Sequence, residues 1–309
     1  MMKKLFIIGN GFDLSHNLKT TYEDFHEYLR NNYSYKEDLF NIPELSILPD
    51  GSEKYDEDEV VTILIDLISQ AEEIGEKWSD IETSLGFLDF GIYLDIYDDV
   101  YVDKEDDDGD SLWKSAYLYE DISADLNNCA VKIKELFSDW VNTIDIDNCA
   151  LKHKFLDLIN VEKDIFLTFN YTTVLEDIYY AKNVFHIHGI QGGYIIIGHG
   201  EERENFENKY IGSEHSLQQI HENLKKKTNE IIKTSIFFKM EFSDIDEIYS
   251  YGFSFSKVDM PYIEEICNKV NTKNVTWYLN DYGPDETREN YKKIIRKCGF
   301  LGEFKLFNV

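Results

Sequence analysis

Leu5-Phe6-Ile7-Ile8-Gly9-Asn10-Gly11-Phe12-Asp13 decides how this chain is read. Four apolar residues in an unbroken run suit a short strand buried on both faces, the habit of a central strand in a parallel sheet. Glycine ends the run at once and opens a loop rich in small and polar residues. Met1-Met2-Lys3-Lys4 gives the opening the look of a signal peptide, but the apolar run stops after four residues and reads as a first strand. Beyond the loop, Thr21-Tyr22-Glu23-Asp24 has the spacing of a capping box, which opens a helix to about Arg30 with Tyr22, Phe25 and Leu29 on one side.

From there strand signals fade until about Val161. Helical periodicity is strong over Val60 to Ile74 and again over Leu112 to Ile144. The breaks, Asp50 to Glu59 and Asp103 to Asp110, are acidic and read as exposed, mobile loops. Strand grammar returns at Ile165 to Thr168, Val184 to Ile187 and Tyr194 to Ile197. A polar helix follows from about Ser216 to Thr234, with Lys225-Lys226-Lys227 as a solvated helix face. Glu247 to Tyr251 is the next strand, then a helix near Asp259 to Val270, a strand at Val275 to Leu279 and a helix from Glu286 to Lys297. Strands alternating with helices predict an α/β fold with a doubly wound, mainly parallel sheet. The organisation expected is one α/β domain over 1–309 with a large helical insertion at 32–161.

The charge narrows the partners. Sixty acidic residues against 31 basic ones leave a net charge of -29, which repels phosphate backbones and anionic lipids unless basic residues cluster locally. Nucleic acid is therefore disfavoured, as is a membrane surface. No stretch approaches the apolar length of a membrane span, which places the chain in the cytoplasm. Cys129, Cys149, Cys267 and Cys298 lie far apart without a C-x-x-C pair or a histidine at ligand spacing, so they read as free buried thiols and no metal is expected.

Three strand ends carry the chemistry, because an open parallel sheet gathers ligands at its carboxyl edge. In the first, Gly9 and Gly11 let backbone N–H groups approach a phosphate, while Asn10 and Asp13 either bond a ribose or hold the loop. In the second, Thr168-Phe169-Asn170-Tyr171-Thr172 is followed by His186-Ile187-His188-Gly189. Asn170 either orients a water or ribose or caps a helix. His188 is either a general base or a satisfied core imidazole. The third, Tyr251-Gly252-Phe253-Ser254-Phe255-Ser256, fits a turn with an N-cap and fits a phosphate or ribose contact equally well. Trp78 and Glu82 stand four apart, on one helix face. Glu82 either stabilises positive charge developing on a ribose or forms a surface ion pair with Lys77 or another base. His199, between two glycines, is a further candidate or a mobile loop histidine.

Gly9-Asn10-Gly11-Phe12-Asp13-Leu14, Thr20-Thr21-Tyr22 with Phe25, and Trp78-Ser79-Asp80-Ile81-Glu82 resemble the opening and insertion motifs of the bacteriophage abortive infection AbiH family. Thr168 to Thr172, His186 to Gly189, Ile197-Gly198-His199-Gly200 and Tyr251 to Ser254 continue the resemblance along nearly the whole chain, although Leu85 to Lys163 contributes little. That family is similar in turn to sirtuin-like NAD-binding proteins. By this similarity Asn170 matches the asparagine that positions water and the nicotinamide ribose, and His188 matches the general base. The first loop (Gly9, Asn10, Gly11, Phe12, Asp13), Thr168, Gly252 and Ser254 match nucleotide-binding positions. Thr172 departs from the usual Asp, and Asn10 and Phe12 stand where sirtuins have small residues. The zinc ribbon of deacetylating sirtuins has no counterpart here.

The resemblance thus implies a defence effector that hydrolyses NAD, its substrate, at the nicotinamide glycosidic bond, with Asn170, His188 and Glu82 as catalytic residues. It leaves open a non-hydrolysing sensor of NAD or ADP-ribose, and a toxin acting on protein or RNA. It also leaves room for a phage-derived activator and for a homo-oligomer.

Overall fold

The computed structural model describes residues 3–35, 42–43, 46–51, 53–71, 81–101 and 110–309. Trp78, Lys77 and most of the acidic run Asp103 to Asp110 lie outside the described residues. The chain falls into two compact units, one of Met1–Thr21, Ser138–Ile196 and Lys227–Val309, the other of Tyr22–Phe137 and Ile197–Lys226. The sequence places the insertion at 32–161; the helical unit found by contacts is made of these two separate segments.

The first unit is built on six strands: β1 (Lys3–Ile8), β2 (Ile165–Thr168), β3 (Val184–His186), β4 (Ile245–Tyr251), β5 (Thr276–Asn280) and β6 (Glu303–Phe307). All neighbours are parallel and the order is β3-β2-β1-β4-β5-β6. This is an α/β fold with the strand order of a Rossmann-like, doubly wound sheet.

Alternation across the pleat explains why the first apolar run must be central. Leu5 and Ile7 join Ile165, Leu167, Ile248 and Trp277 in one core, closed over by Met260–Lys269 and Asp285–Lys297 through Tyr262, Ile263, Ile266 and Ile295. Phe6 and Ile8 join Phe166, Tyr249 and Tyr251 in the other, closed over by Asn10–Ser15, His153–Leu158 and Val174–Asp177 through Phe12, Phe155, Val174 and Leu175. Register places Phe166, Phe6, Tyr249 and Tyr278 side by side on four strands. Their rings stack in a row with centroids 5.0, 4.9 and 4.3 Å apart. Stacked cross-strand pairs of this kind fix register as well as adding burial.

Five predicted strands are present within two residues at each end. The expected strand at Tyr194 to Ile197 is corrected: it makes a single antiparallel bridge, Gly189 to Ile195. Gly189 (φ 93°) and Gly192 (φ 76°) reverse the chain there, too abruptly for a ladder to extend. The last strand, Glu303–Phe307, went unread because at the sheet edge only its final residue is buried, so no apolar run marks it.

In the second unit Tyr22–Asn32 begins where the capping box predicts and buries Phe25 and Leu29. Glu57–Ala71 buries Val60, Val61, Ile63, Leu64, Leu67 and Ile68, an apolar stripe wide enough to serve as a core helix. The long periodic stretch to Ile144 is two helices, Asp110–Val131 and Ile133–Asn142, and the division between the units falls within the second, after Phe137. The acidic break before Glu57 carries a short exposed hairpin, Ser46–Ile47 with Glu53–Lys54. The predicted helix from Ser216 to Thr234 is likewise two, Glu214–Leu224 and Thr228–Thr234, and the lysine run is the break between them. Lys226 is not on a solvated face; it is 3 % exposed. Extended backbone at Lys225 lets Lys226 N–H donate to His199 O at 2.8 Å, and a chain extended there alternates its side chains inward and outward. The four cysteines are free thiols, three of them buried.

Candidate functional site

In this strand order the winding reverses between β1 and β4, so the crevice for a ligand opens at their carboxyl ends. Backbone closes much of it directly. Gly9 N–H donates to Tyr251 O at 3.0 Å, Gly11 N–H to Gly252 O at 2.9 Å and Phe12 N–H to Gly9 O at 2.9 Å. A Cβ on Gly9 would lie 2.6 Å from both Gly252 O and Phe253 Cα, and one on Gly252 would lie 2.2 Å from Phe12 N. Gly252 also has φ 67°, the left-handed region that favours glycine. These glycines are thus needed for backbone-on-backbone contact at the switch point, and three amides suited to a phosphate are used inside the fold.

The first loop becomes a helical turn, Asn10–Ser15, which sorts its side chains. Asn10 is exposed and held by Thr20, donating through Nδ2 to Thr20 O at 2.8 Å and accepting from Thr20 Oγ1 at 2.6 Å. Phe12 turns into the aromatic core against Phe155 and Tyr251. Asp13 turns inward and is 1 % exposed.

Asp13 meets the end of β2. Thr172 Oγ1 donates to Asp13 Oδ2 at 2.7 Å. Burial pushes the Asp13 carboxyl up to about 7, with Thr172 and Asn170 drawing it partly back and His186 acting in the same sense. Asn170, 6 % exposed, is pinned by its main chain. Its N–H donates to Thr168 Oγ1 at 3.1 Å, and its carbonyl accepts from His186 Nδ1 at 2.9 Å. Among the described residues neither Asp13 Oδ1 nor Asn170 Nδ2 makes a well-formed hydrogen bond, and the Asn170 amide acts on the Asp13 carboxyl as a side-chain donor. An acceptor and a donor so buried normally find partners, because leaving one unmade costs about 1–3 kcal/mol. The pair suits a ligand that offers a donor and an acceptor side by side, as neighbouring sugar hydroxyls do.

His188 lies just past β3 and is 3 % exposed. Its Nε2 is 3.6 Å from Asp259 Oδ1, and Ser256 Oγ donates to Asp259 Oδ2 at 3.0 Å. Phe169 meets the imidazole edge to face and Tyr262 tilts against it. An imidazole next to a carboxylate is an arrangement used for accepting a proton. Ser254 is exposed, while its neighbours Phe253 and Phe255 are buried; Phe255 adopts φ 55°, a costly conformation for an aromatic residue.

The remaining candidates belong to the helical unit. Glu82 is 8 % exposed and bonded to Lys226, Nζ to Oε1 at 2.5 Å, with the lysine side chain wholly buried. Of the two roles open to Glu82, an ion pair is what the structure contains, and it is internal rather than on the surface. His199 is fully buried, not a mobile loop histidine. Its Nε2 donates to His221 O at 3.0 Å and its Nδ1 accepts from Glu201 N–H at 3.2 Å. Burial, then the neighbouring His221, lowers its pKa to about 4, in keeping with that neutral form. The same unit holds a pocket of about 120 Å³ with largely apolar walls, among them Leu85, Leu88, Phe206 and Leu217. The convergent polar groups are at the strand ends of the other unit, and the chemistry is assigned there.

Asp259, His186, Glu176 and Tyr262 were missed as site residues in the sequence. Asp259 reads as a helix start and His186 as strand filler; only the spacing of His186 from His188 hinted at two histidines near one strand end. Among the described residues no three His, Cys, Asp or Glu side chains gather as a metal site, and no helix is long and apolar enough to cross a membrane.

The family model for bacteriophage abortive infection AbiH matches residues 5–281. The chain belongs to the AbiH family. This AbiH chain matches no curated protein and no solved structure. Membership supports a role in abortive-infection defence against phage. The match takes in both units, and with them Asp13, Glu82, Asn170, His188 and Asp259.

Proposed function

We propose that this AbiH chain is a defence effector that hydrolyses NAD at the nicotinamide glycosidic bond. The observation that supports it most is the meeting, at the switch point of a 3-2-1-4-5-6 sheet, of the buried Asn170 amide and Asp13 carboxyl, with His188 near Asp259 just past the end of β3. In this reading the nicotinamide ribose offers its hydroxyls to Asp13 Oδ1 and Asn170 Nδ2. A water oxygen bonds to the ribose carbon as the bond from that carbon to the nicotinamide nitrogen breaks. The proton of the water passes to His188, and the products are nicotinamide and ADP-ribose. Positioning of that one water and exclusion of competing nucleophiles carry most of such a reaction. Glu82 is outside this pair of catalytic residues because Lys226 holds its carboxylate.

The test is NAD and nicotinamide in cells challenged with phage, carrying wild-type protein, Asn170→Ala or His188→Ala at matched levels. Loss of NAD in the wild type alone supports the reading. Defence with NAD unchanged sinks it.

A second reading, a sensor that binds NAD or ADP-ribose without turnover, draws on the amides of Gly9, Gly11 and Phe12 being used within the fold. Calorimetry with both nucleotides separates it: binding without nicotinamide release favours the sensor, and absence of binding removes it.

A further inference from the structure

Asn170 is held from both sides of its peptide, and the second hold contains a proton that can be counted. His186 Nδ1 lies 2.9 Å from Asn170 O, and His186 Nε2 lies 2.8 Å from Glu176 Oε1. A main-chain carbonyl only accepts, so Nδ1 carries a hydrogen. An ionised carboxylate only accepts as well, so the second contact also needs a hydrogen between its atoms. A ring that carries both hydrogens meets both contacts at once. His186 is then an imidazolium with a side chain only 9 % exposed, bridging Glu176 to the backbone of Asn170. Two acidic groups act on it: Glu176, on the turn Val174–Asp177, and Asp13, on the turn Asn10–Ser15.

We propose that the His186–Glu176 couple is a positioning device for Asn170, a hydrogen-bonded strut whose second proton fixes where the asparagine amide points. This rests on the reading above in treating Asn170 as a group that meets the ligand, but not on the ligand being NAD. When the second proton leaves, the Nε2 lone pair faces a carboxylate. The ring must turn or Glu176 must withdraw, and either motion removes the donor from Asn170 O. Ligand capture then depends on a proton carried by neither Asn170 nor the ligand. Asp13 adds its own pH dependence, so a pH profile alone does not isolate the strut.

Glu176→Gln isolates it. A glutamine can turn its amide N–H toward a neutral Nε2, which keeps the strut while removing the need for the second proton; Glu176→Leu removes the strut. The experiment uses the full chain with 15N-labelled histidine and asparagine at pH 7, the His186 and Asn170 signals being assigned by their loss in His186→Gln and Asn170→Ala. The wild type is expected to show both ring nitrogens protonated, and Glu176→Gln only one. The Asn170 side-chain amide signals should move in Glu176→Leu and stay near their wild-type positions in Glu176→Gln. In parallel, NAD affinity should fall about tenfold in Glu176→Leu, remain within about twofold in Glu176→Gln, and vary less with pH in Glu176→Gln than in wild type.

A wild-type ring with a single proton overturns the proposal, as does an Asn170 amide signal indifferent to Glu176→Leu. If no variant binds NAD, the nucleotide reading fails while the ring protons and the Asn170 signals still decide the strut. Should Glu176→Leu fold poorly, the ring protonation in wild type and Glu176→Gln remains decisive.

Discussion

Replacing Lys226 by methionine removes an ammonium group from a site where its side chain has no solvent exposure and its carboxylate partner, Glu82, has 10 %. Methionine fills much of the same volume, so the main change is electrostatic. A carboxylate kept in that position without its ammonium pays nearly its full desolvation, and breaking a buried pair from one side costs about 3–5 kcal/mol. Removing both charges, as in Glu82→Leu with Lys226→Met, deletes that penalty, and well-packed apolar replacements are often neutral or better by about 1–4 kcal/mol. The single variant Lys226→Met should therefore be less stable than the double variant, with a coupling of roughly 3 kcal/mol, on the scale of contacting buried pairs. Chemical denaturation followed by helical ellipticity measures it, because the pair lies in the helical unit. If the two single costs simply add in the double variant, the argument that the pair is one electrostatic unit is wrong. The same double variant decides the role of Glu82: NAD consumption that survives in it removes Glu82 from the chemistry.

Asp13 predicts a pH effect of unusual sign. Its folded pKa of about 7 lies above the ordinary carboxyl value of 3.8, so between those pH values the folded state holds a proton that the unfolded state has lost. This stability is fully present below about pH 4, falls as pH rises to about 7 and levels off above. Asp13→Asn should flatten this component in thermal melts taken across that window, and an unchanged pH profile would rule out Asp13 as its source. Gly252→Ala places a Cβ 2.2 Å from Phe12 N at φ 67°; it should lose at least about 2 kcal/mol, and a melting temperature equal to wild type would refute the close contact of the two turns. Ser250→Ala strips the acceptor from Trp277 Nε1, 2.8 Å away in the core; a loss of about 1–3 kcal/mol is expected, and Ser250→Thr should retain part of the hydrogen bond.

Much of the sheet was legible because its strands are short apolar runs ended by glycine or a polar residue, as at Ile8-Gly9 and Tyr251-Gly252. β6 was not, since an edge strand with one buried residue has no such run. The helices at Ser216 to Thr234 show a different limit: periodicity persists across Lys225-Lys226-Lys227, and nothing local says that the chain leaves the helix there to bond His199. Burial of Lys226 follows from that departure, so its pairing with Glu82 was out of reach as well. The glycine loop was legible as a motif but ambiguous in purpose, because close approach to a phosphate and close approach to another backbone ask for the same residue.

The candidate site divides along the same line. Asn170 and His188 stand out because a strand end places them, and strand ends are visible in sequence. Their partners Glu176, His186 and Asp259 come from a helical turn, a strand interior and a helix start, where each residue type is commonplace. Contact across the fold gives those three their meaning. Of the residues around Asn170, Thr168 and His186 touch only its main chain. Such a role leaves the partner free of any side-chain signature, so a sequence motif can name the asparagine but not what aims it. Substituting the residues that touch only its backbone therefore separates a catalytic asparagine from one that merely caps a turn. A capping residue tolerates small changes of direction, whereas an amide that must meet a ligand donor to acceptor loses function when its peptide rotates, even with the side chain intact.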